Sequence, residues 1–96
     1  KFFSNLSKTS TFLIDGLNKI INDFQEIISE VRGKGLMLGI KCKVENTKFV
    51  DEARKNKMLT IKASDNVVRL LPPLNISIED CESALSIIRN VCKNLS

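Results

Sequence analysis

Histidine, tryptophan and tyrosine are absent from these 96 residues. Without an imidazole there is no Ser-His-Asp triad, no proton shuttle of the histidine type and no histidine-ligated metal. Close cysteine pairs are missing too. Cys42, Cys81 and Cys92 are odd in number and far apart in sequence, so neither a zinc site nor a Cys-x-x-Cys redox centre can be assembled from them. They read as buried or idle thiols. If Cys81 and Cys92 share one helix they lie about 16 Å apart along its axis, out of disulfide reach. Long apolar runs are lacking: stretches such as Gly35 to Ile40 fall far below the roughly 18–20 residues that cross a bilayer. No signal-peptide pattern is present, and the expectation is a cytoplasmic segment with no membrane partner. A dense basic block is also absent, because 15 Lys and Arg against 11 Asp and Glu give a net charge of +4 spread over the chain. Such a mild excess serves solubility rather than nucleic-acid binding.

What is there describes one compact domain, 10.8 kDa with 43% hydrophobic and 27% charged residues. A chain of this size buries about 60–65% of its unfolded surface, too little for a deep, fully walled active site of its own. It contains no internal repeat, low-complexity segment or Gly/Ser linker. It opens on Lys1 rather than Met, directly inside a helical pattern, and reads as a piece of something longer.

Leu6, Leu13, Leu17, Ile20 and Phe24 recur at helical spacing, with Ser10 filling one slot, and predict a helix over about Lys1 to Ile21. Ile28 to Arg32 alternates as a strand, with Ile28, Glu30 and Arg32 on one face. Gly33-Lys34-Gly35 supplies a tight turn into Leu36 to Cys42, which is apolar on both faces and so an internal strand. Asn46 or Thr47 caps a short helix that ends near Asn56. Leu59 to Lys62 and Val67 to Leu71 are two further strands around the turn-forming Ala63 to Asn66, and Pro72-Pro73 ends the second. Ser77 caps the last helix, whose buried stripe is Ile78, Cys81, Leu85, Ile88, Cys92 and Leu95. The order α-β-β-α-β-β-α predicts an α+β fold of two layers: an antiparallel sheet of about four strands with the helices on one face. The apolar character of the second and fourth strands calls for a cover on the other face.

Arg69 is the candidate functional residue. Alternation in Val67-Val68-Arg69-Leu70-Leu71 sets it on the face of Val67 and Leu71, where a guanidinium among aliphatic neighbours needs an anion. From the residues alone that anion is either a protein carboxylate or a ligand's, and an exposed edge position is the plain alternative. Gly33-Lys34-Gly35 is a hairpin turn rather than a phosphate loop, with Arg32 and Lys34 as solvated charges beside it. Lys34-Gly35-Leu36-Met37-Leu38 is superficially like the strand of an RNA-recognition module, but Leu36 and Leu38 stand where stacking rings are needed. None of the lysines lies in a segment that could wall off a cofactor for Schiff-base chemistry.

Three blocks carry a resemblance: Glu30-Val31-Arg32-Gly33-Lys34-Gly35-Leu36-Met37-Leu38-Gly39, then Ala53-Arg54 with Leu59-Thr60-Ile61, then Asp65-Asn66-Val67-Val68-Arg69-Leu70-Leu71-Pro72-Pro73-Leu74. In this order and spacing, over nearly the whole chain, they resemble the C-terminal small domain of class III pyridoxal-phosphate-dependent aminotransferases. The likeness is strongest to the branch that moves an amino group between N-acetylornithine and 2-oxoglutarate in arginine biosynthesis. Ornithine and 4-aminobutyrate aminotransferases share much of the pattern. The resemblance implies that residues 1–96 are one domain of a homodimeric enzyme and that Arg69 grips the substrate α-carboxylate. It also implies that the cofactor, pyridoxal 5'-phosphate, is held by a lysine, a phosphate loop and an acid of the large domain. None of those belongs to this segment, so the segment by itself is expected to be inactive and to bind no cofactor. Lys62 falls where related sequences vary, which leaves side-chain specificity open. The alternative from another class is a stand-alone α+β ligand-binding or interaction module.

Overall fold

The structure, a computed structural model, describes residues 2–34, 37–70 and 77–96. Among them the elements run α1 (Phe2–Asp23), β1 (Ile28–Lys34), β2 (Met37–Cys42), α2 (Asn46–Lys55), β3 (Thr60–Lys62), β4 (Val67–Leu70) and α3 (Ile78–Leu95). The four strands form one antiparallel sheet in the order β1-β2-β4-β3, so β2 and β4 are internal and β1 and β3 are edges. The expected element order, the α+β class and the internal place of the second strand all hold.

The core lies between the sheet and the helices. α1 contributes Leu13, Leu17 and Ile20, α2 Phe49 and Ala53, and α3 Cys81, Ile88, Val91 and Cys92. The sheet answers with Ile28, Leu38, Ile40, Cys42, Val68 and Leu70. Two positions of α3 differ from expectation. Ile78 in the first turn is 39% exposed, while Val91, one residue off the stripe, is fully buried. A helix wedged against both α1 and α2 buries a wider arc than a single stripe, which brings Val91 inside.

Strand β1 departs from simple alternation. Ile28 pairs with Cys42 but Glu30 pairs with Lys41, so a bulge falls between Ile28 and Glu30. The extra residue flips the faces: Ile28 is buried in the core, whereas Glu30 and Arg32 are exposed on the opposite side. The expected grouping of these three residues on one face is thereby corrected. Gly33 and Lys34 belong to β1 rather than to a turn, with Gly33 at φ 112°, a conformation that favours glycine. Gly35 and Leu36 lie outside the described residues, as do Leu71, Pro72 and Pro73.

The caps divide. Ser77 accepts a hydrogen bond from the Asp80 amide at 3.0 Å, as expected of an N-cap, with Glu79 and Asp80 in the first turn of α3. Ser77→Ala is expected to cost about 1 kcal/mol, read as a melting temperature lower by about 4–8 °C. An unchanged melting temperature would remove the cap from the account. At α2 the N-cap residue is Glu45, with no side-chain bond of its own. Neither Asn46 nor Thr47 caps; the Asn46 amide instead donates to Asn66 Oδ1 at 2.8 Å, from a turn 20 residues away in sequence.

All three cysteines are free and buried. Burial pushes the Cys42 thiol from an ordinary 9.0 up to about 11, and burial followed by the nearby Cys42 pushes Cys92 up to about 12. Both thiols are therefore protonated in the folded chain where an unfolded chain already ionises. Above about pH 9 the unfolded state binds fewer protons, so stability declines with rising pH until the folded thiols titrate. For Cys42 the loss at about pH 10 is on the order of 1.4 kcal/mol. Urea unfolding at a series of pH values should show this decline, and Cys42→Ala should flatten it; an equally steep decline in the variant would contradict the assignment.

Candidate functional site

The face of the sheet turned away from the helices carries the candidate site. Val68 and Leu70 point into the core, so Val67 and Arg69 point the other way. Register then places Arg69 in a row across all four strands: Arg32 on β1 opposite Gly39 on β2, Gly39 opposite Arg69 on β4, and Arg69 opposite Ile61 on β3. Arg69 shares its face with Val67, as expected, but its side chain is exposed. The premise of a desolvated guanidinium therefore does not hold. Facing solvent beside Gly39 and the 47%-exposed Ile61, the fork of donors is open to an incoming group.

Gly39 makes the space. A Cβ there would stand 2.8 Å from Val67 Cγ1, so any larger residue would push the neighbouring strand's side chain aside. With no side chain at 39, a shallow concavity of about 310 Å³ opens, lined by Arg32, Gly33, Gly39, Asp65, Val67 and Arg69.

The other charges of this face are paired. Arg32 Nε donates to Glu30 Oε2 at 2.6 Å and its Nη1 to Asp65 Oδ2 at 2.8 Å. Lys41 Nζ lies 2.8 Å from Asp65 Oδ1 and donates to the Asp65 backbone carbonyl at 2.8 Å. Lys41, then Arg32, hold the Asp65 carboxyl below its ordinary range, and the carboxylates of Glu30 and Asp65 raise the Arg32 guanidinium in return. Arg32 is thus part of a network rather than an isolated solvated charge. Among the described residues Arg69 makes no ion pair; Asp65, the acid that shares its concavity, is engaged by Lys41 and Arg32.

Glu30, Lys41 and Asp65 escaped the sequence reading. Glu30 and Arg32 at a two-residue step in a strand were a legible signal for their contact. The Arg32–Asp65 pair, 33 residues apart, had none.

Residues 1–92 match the family described as Aminotransferase class-III. The chain belongs to this family. The acetylornithine aminotransferase of Brucella melitensis is 38% identical over 95 residues, covering 99% of this chain and 24% of that protein. In structure, the N-acetylornithine aminotransferase of Stenotrophomonas maltophilia superposes with a TM-score of 0.88 at 33% identity, over 98% of this chain and 27% of that one. The ornithine aminotransferase of Plasmodium yoelii gives a TM-score of 0.89 at 28% identity, over 99% and 26%. The chain therefore spans about a quarter of the length of these class-III aminotransferases.

On the open face of this aminotransferase segment, the described residues do not fit the cofactor that the family implies. Schiff-base chemistry needs an uncommitted amine beside a walled ring site. Lys41, the lysine of the network, is held by Asp65, and the phenylalanines Phe12, Phe24 and Phe49 pack with the core on the helix side. No helix among the described residues is long and apolar enough to cross a membrane.

Proposed function

We propose that residues 1–96 form a single domain, the C-terminal small-domain part of a cytoplasmic, homodimeric, pyridoxal-phosphate-dependent acetylornithine aminotransferase, and that Arg69 holds the substrate α-carboxylate. The parent enzyme would transfer an amino group between N-acetylornithine and 2-oxoglutarate in arginine biosynthesis. Pyridoxal phosphate, held by residues of the large domain, would supply the electron sink for that transfer. The contribution of this segment is to bind and orient: a planar guanidinium meets a carboxylate through two parallel hydrogen bonds and fixes the substrate's direction as well as its position.

The observation that carries this reading is the exposed Arg69 beside a glycine-floored concavity, with the neighbouring acid already engaged by other cations. Likeness to acetylornithine aminotransferases at 38% identity supports the choice of branch, and family membership favours an enzyme part over a stand-alone binding module. Likeness to an ornithine aminotransferase supports a second reading with the same arginine and a different amino donor. Steady-state kinetics of the full-length protein and its Arg69→Ala variant, with N-acetylornithine and ornithine as alternative donors and 2-oxoglutarate as acceptor, test both readings. Undiminished turnover in the variant would remove Arg69 from the role.

A further inference from the structure

Arg32 and Arg69 flank Gly39 in one concavity, two strand spacings apart, or about 10 Å at the Cα atoms. Nothing but the glycine backbone lies between them in the register. Two guanidinium groups on long side chains over a bare floor are an arrangement for binding both carboxylates of one small molecule. Asp65 changes that. Its Oδ2 accepts from Arg32 Nη1 at 2.8 Å while Glu30 takes Nε at 2.6 Å, so the charge of Arg32 already faces two internal carboxylates.

The placement of Asp65 is built into the turn. Asp65 and the following Asn66 adopt φ values of 61° and 59°, and Asn66 is held to the β2–α2 connection by bonds to the carbonyls of Cys42 and Val44 at 2.7 and 2.8 Å. Lys41 grips Asp65 from the adjoining strand without lining the concavity.

We infer that Asp65 is a specificity-determining residue, an internal carboxylate that occupies Arg32 so that the open face offers Arg69 alone to a ligand carboxylate. This rests on the reading of Arg69 as the carboxylate clasp. Asp65→Asn would leave Arg32 Nη1 without its anionic acceptor and add a second cation on this face to the one that Arg69 offers. The ligand class that gains is therefore small dicarboxylates, relative to monocarboxylates of similar length.

The test is inhibition of the full-length enzyme by glutarate, a dicarboxylate, and by butyrate, a monocarboxylate. In Asp65→Asn the ratio of the butyrate to the glutarate inhibition constant is expected to rise about fivefold, the scale of one exposed charge pair. Adding Arg32→Gln removes the released cation and should return the ratio to the wild-type value. A purely structural Asp65 would weaken both inhibitors together and leave the ratio unmoved, which overturns the inference. So does a raised ratio that persists in the double variant. Failure of the Arg69 reading shows separately, as butyrate inhibition that survives intact in Arg69→Ala.

Discussion

Arg69→Ala in the full-length aminotransferase is expected to lower kcat/KM about 30- to 1000-fold for both the amino donor and 2-oxoglutarate, a loss of roughly 2–4 kcal/mol of transition-state stabilisation. The magnitude follows from what the proposed role would lose: a charge-assisted, two-pronged contact that also orients the substrate. Both half-reactions should suffer, because the proposed substrates, N-acetylornithine and 2-oxoglutarate, each carry an α-carboxylate. Cofactor uptake, followed by its absorbance band, should be unaffected, since no residue of the open face fits the cofactor. Arg69→Lys should recover only part of the loss, because an ammonium keeps the charge but not the planar fork. Equal activity of the lysine and arginine forms would show that a point charge suffices and that the geometry at Gly39 is irrelevant.

Asn66→Ala is expected to destabilise the fold by about 3–4 kcal/mol, lowering the melting temperature by roughly 12 °C or more. Asn66 Nδ2 donates to the carbonyls of Cys42 and Val44 at 2.7 and 2.8 Å, and its Oδ1 accepts from the Asn46 amide at 2.8 Å. Asn46 reciprocates, its Nδ2 donating to the carbonyls of Ala63 and Val67 at 3.0 and 3.1 Å. Two asparagines thus lock the β3–β4 turn to the start of α2. Truncating one leaves backbone groups without partners in a partly buried region, which costs more than the bonds gain when made. A backbone component adds to this, because Asn66 sits at φ 59°, where alanine is disfavoured and glycine is not. Asn66→Gly should therefore be about 1 kcal/mol less damaging than Asn66→Ala. Urea unfolding separates the two; a cost under about 1 kcal/mol for the alanine variant would mean the lock is dispensable. Since this turn also sets Asp65 beside Arg32, the same substitution should disturb the charge network of the open face.

Local signals explain where the sequence reading succeeded. Leu13, Leu17 and Ile20 at helical spacing, the apolar run through Leu38 and Ile40, and Ser77 ahead of Glu79 and Asp80 are each decided by residues within a turn or two. Failures cluster where a non-local contact overrides the local preference. Asn46 carries a capping side chain, yet the sheet turn supplies stronger partners, and the cap comes from Asn66 instead. Ile28 alternates correctly with its neighbours until the pairing with Cys42 inserts a bulge and reverses the face of Glu30 and Arg32.

The same division applies to the site. Residue types and their order in the chain determined the α+β class, the aminotransferase resemblance and the choice of Arg69, because hydrophobic period, turn chemistry and motif blocks are properties of short segments. Only the tertiary structure decided that Arg69 faces solvent rather than the core, that Gly39 opens a floor beside it, and that Asp65 is held by Lys41 and Arg32. Those facts depend on strand order and register, which bring residues more than 20 positions apart to within 3 Å, and no local pattern encodes a pairing across that separation.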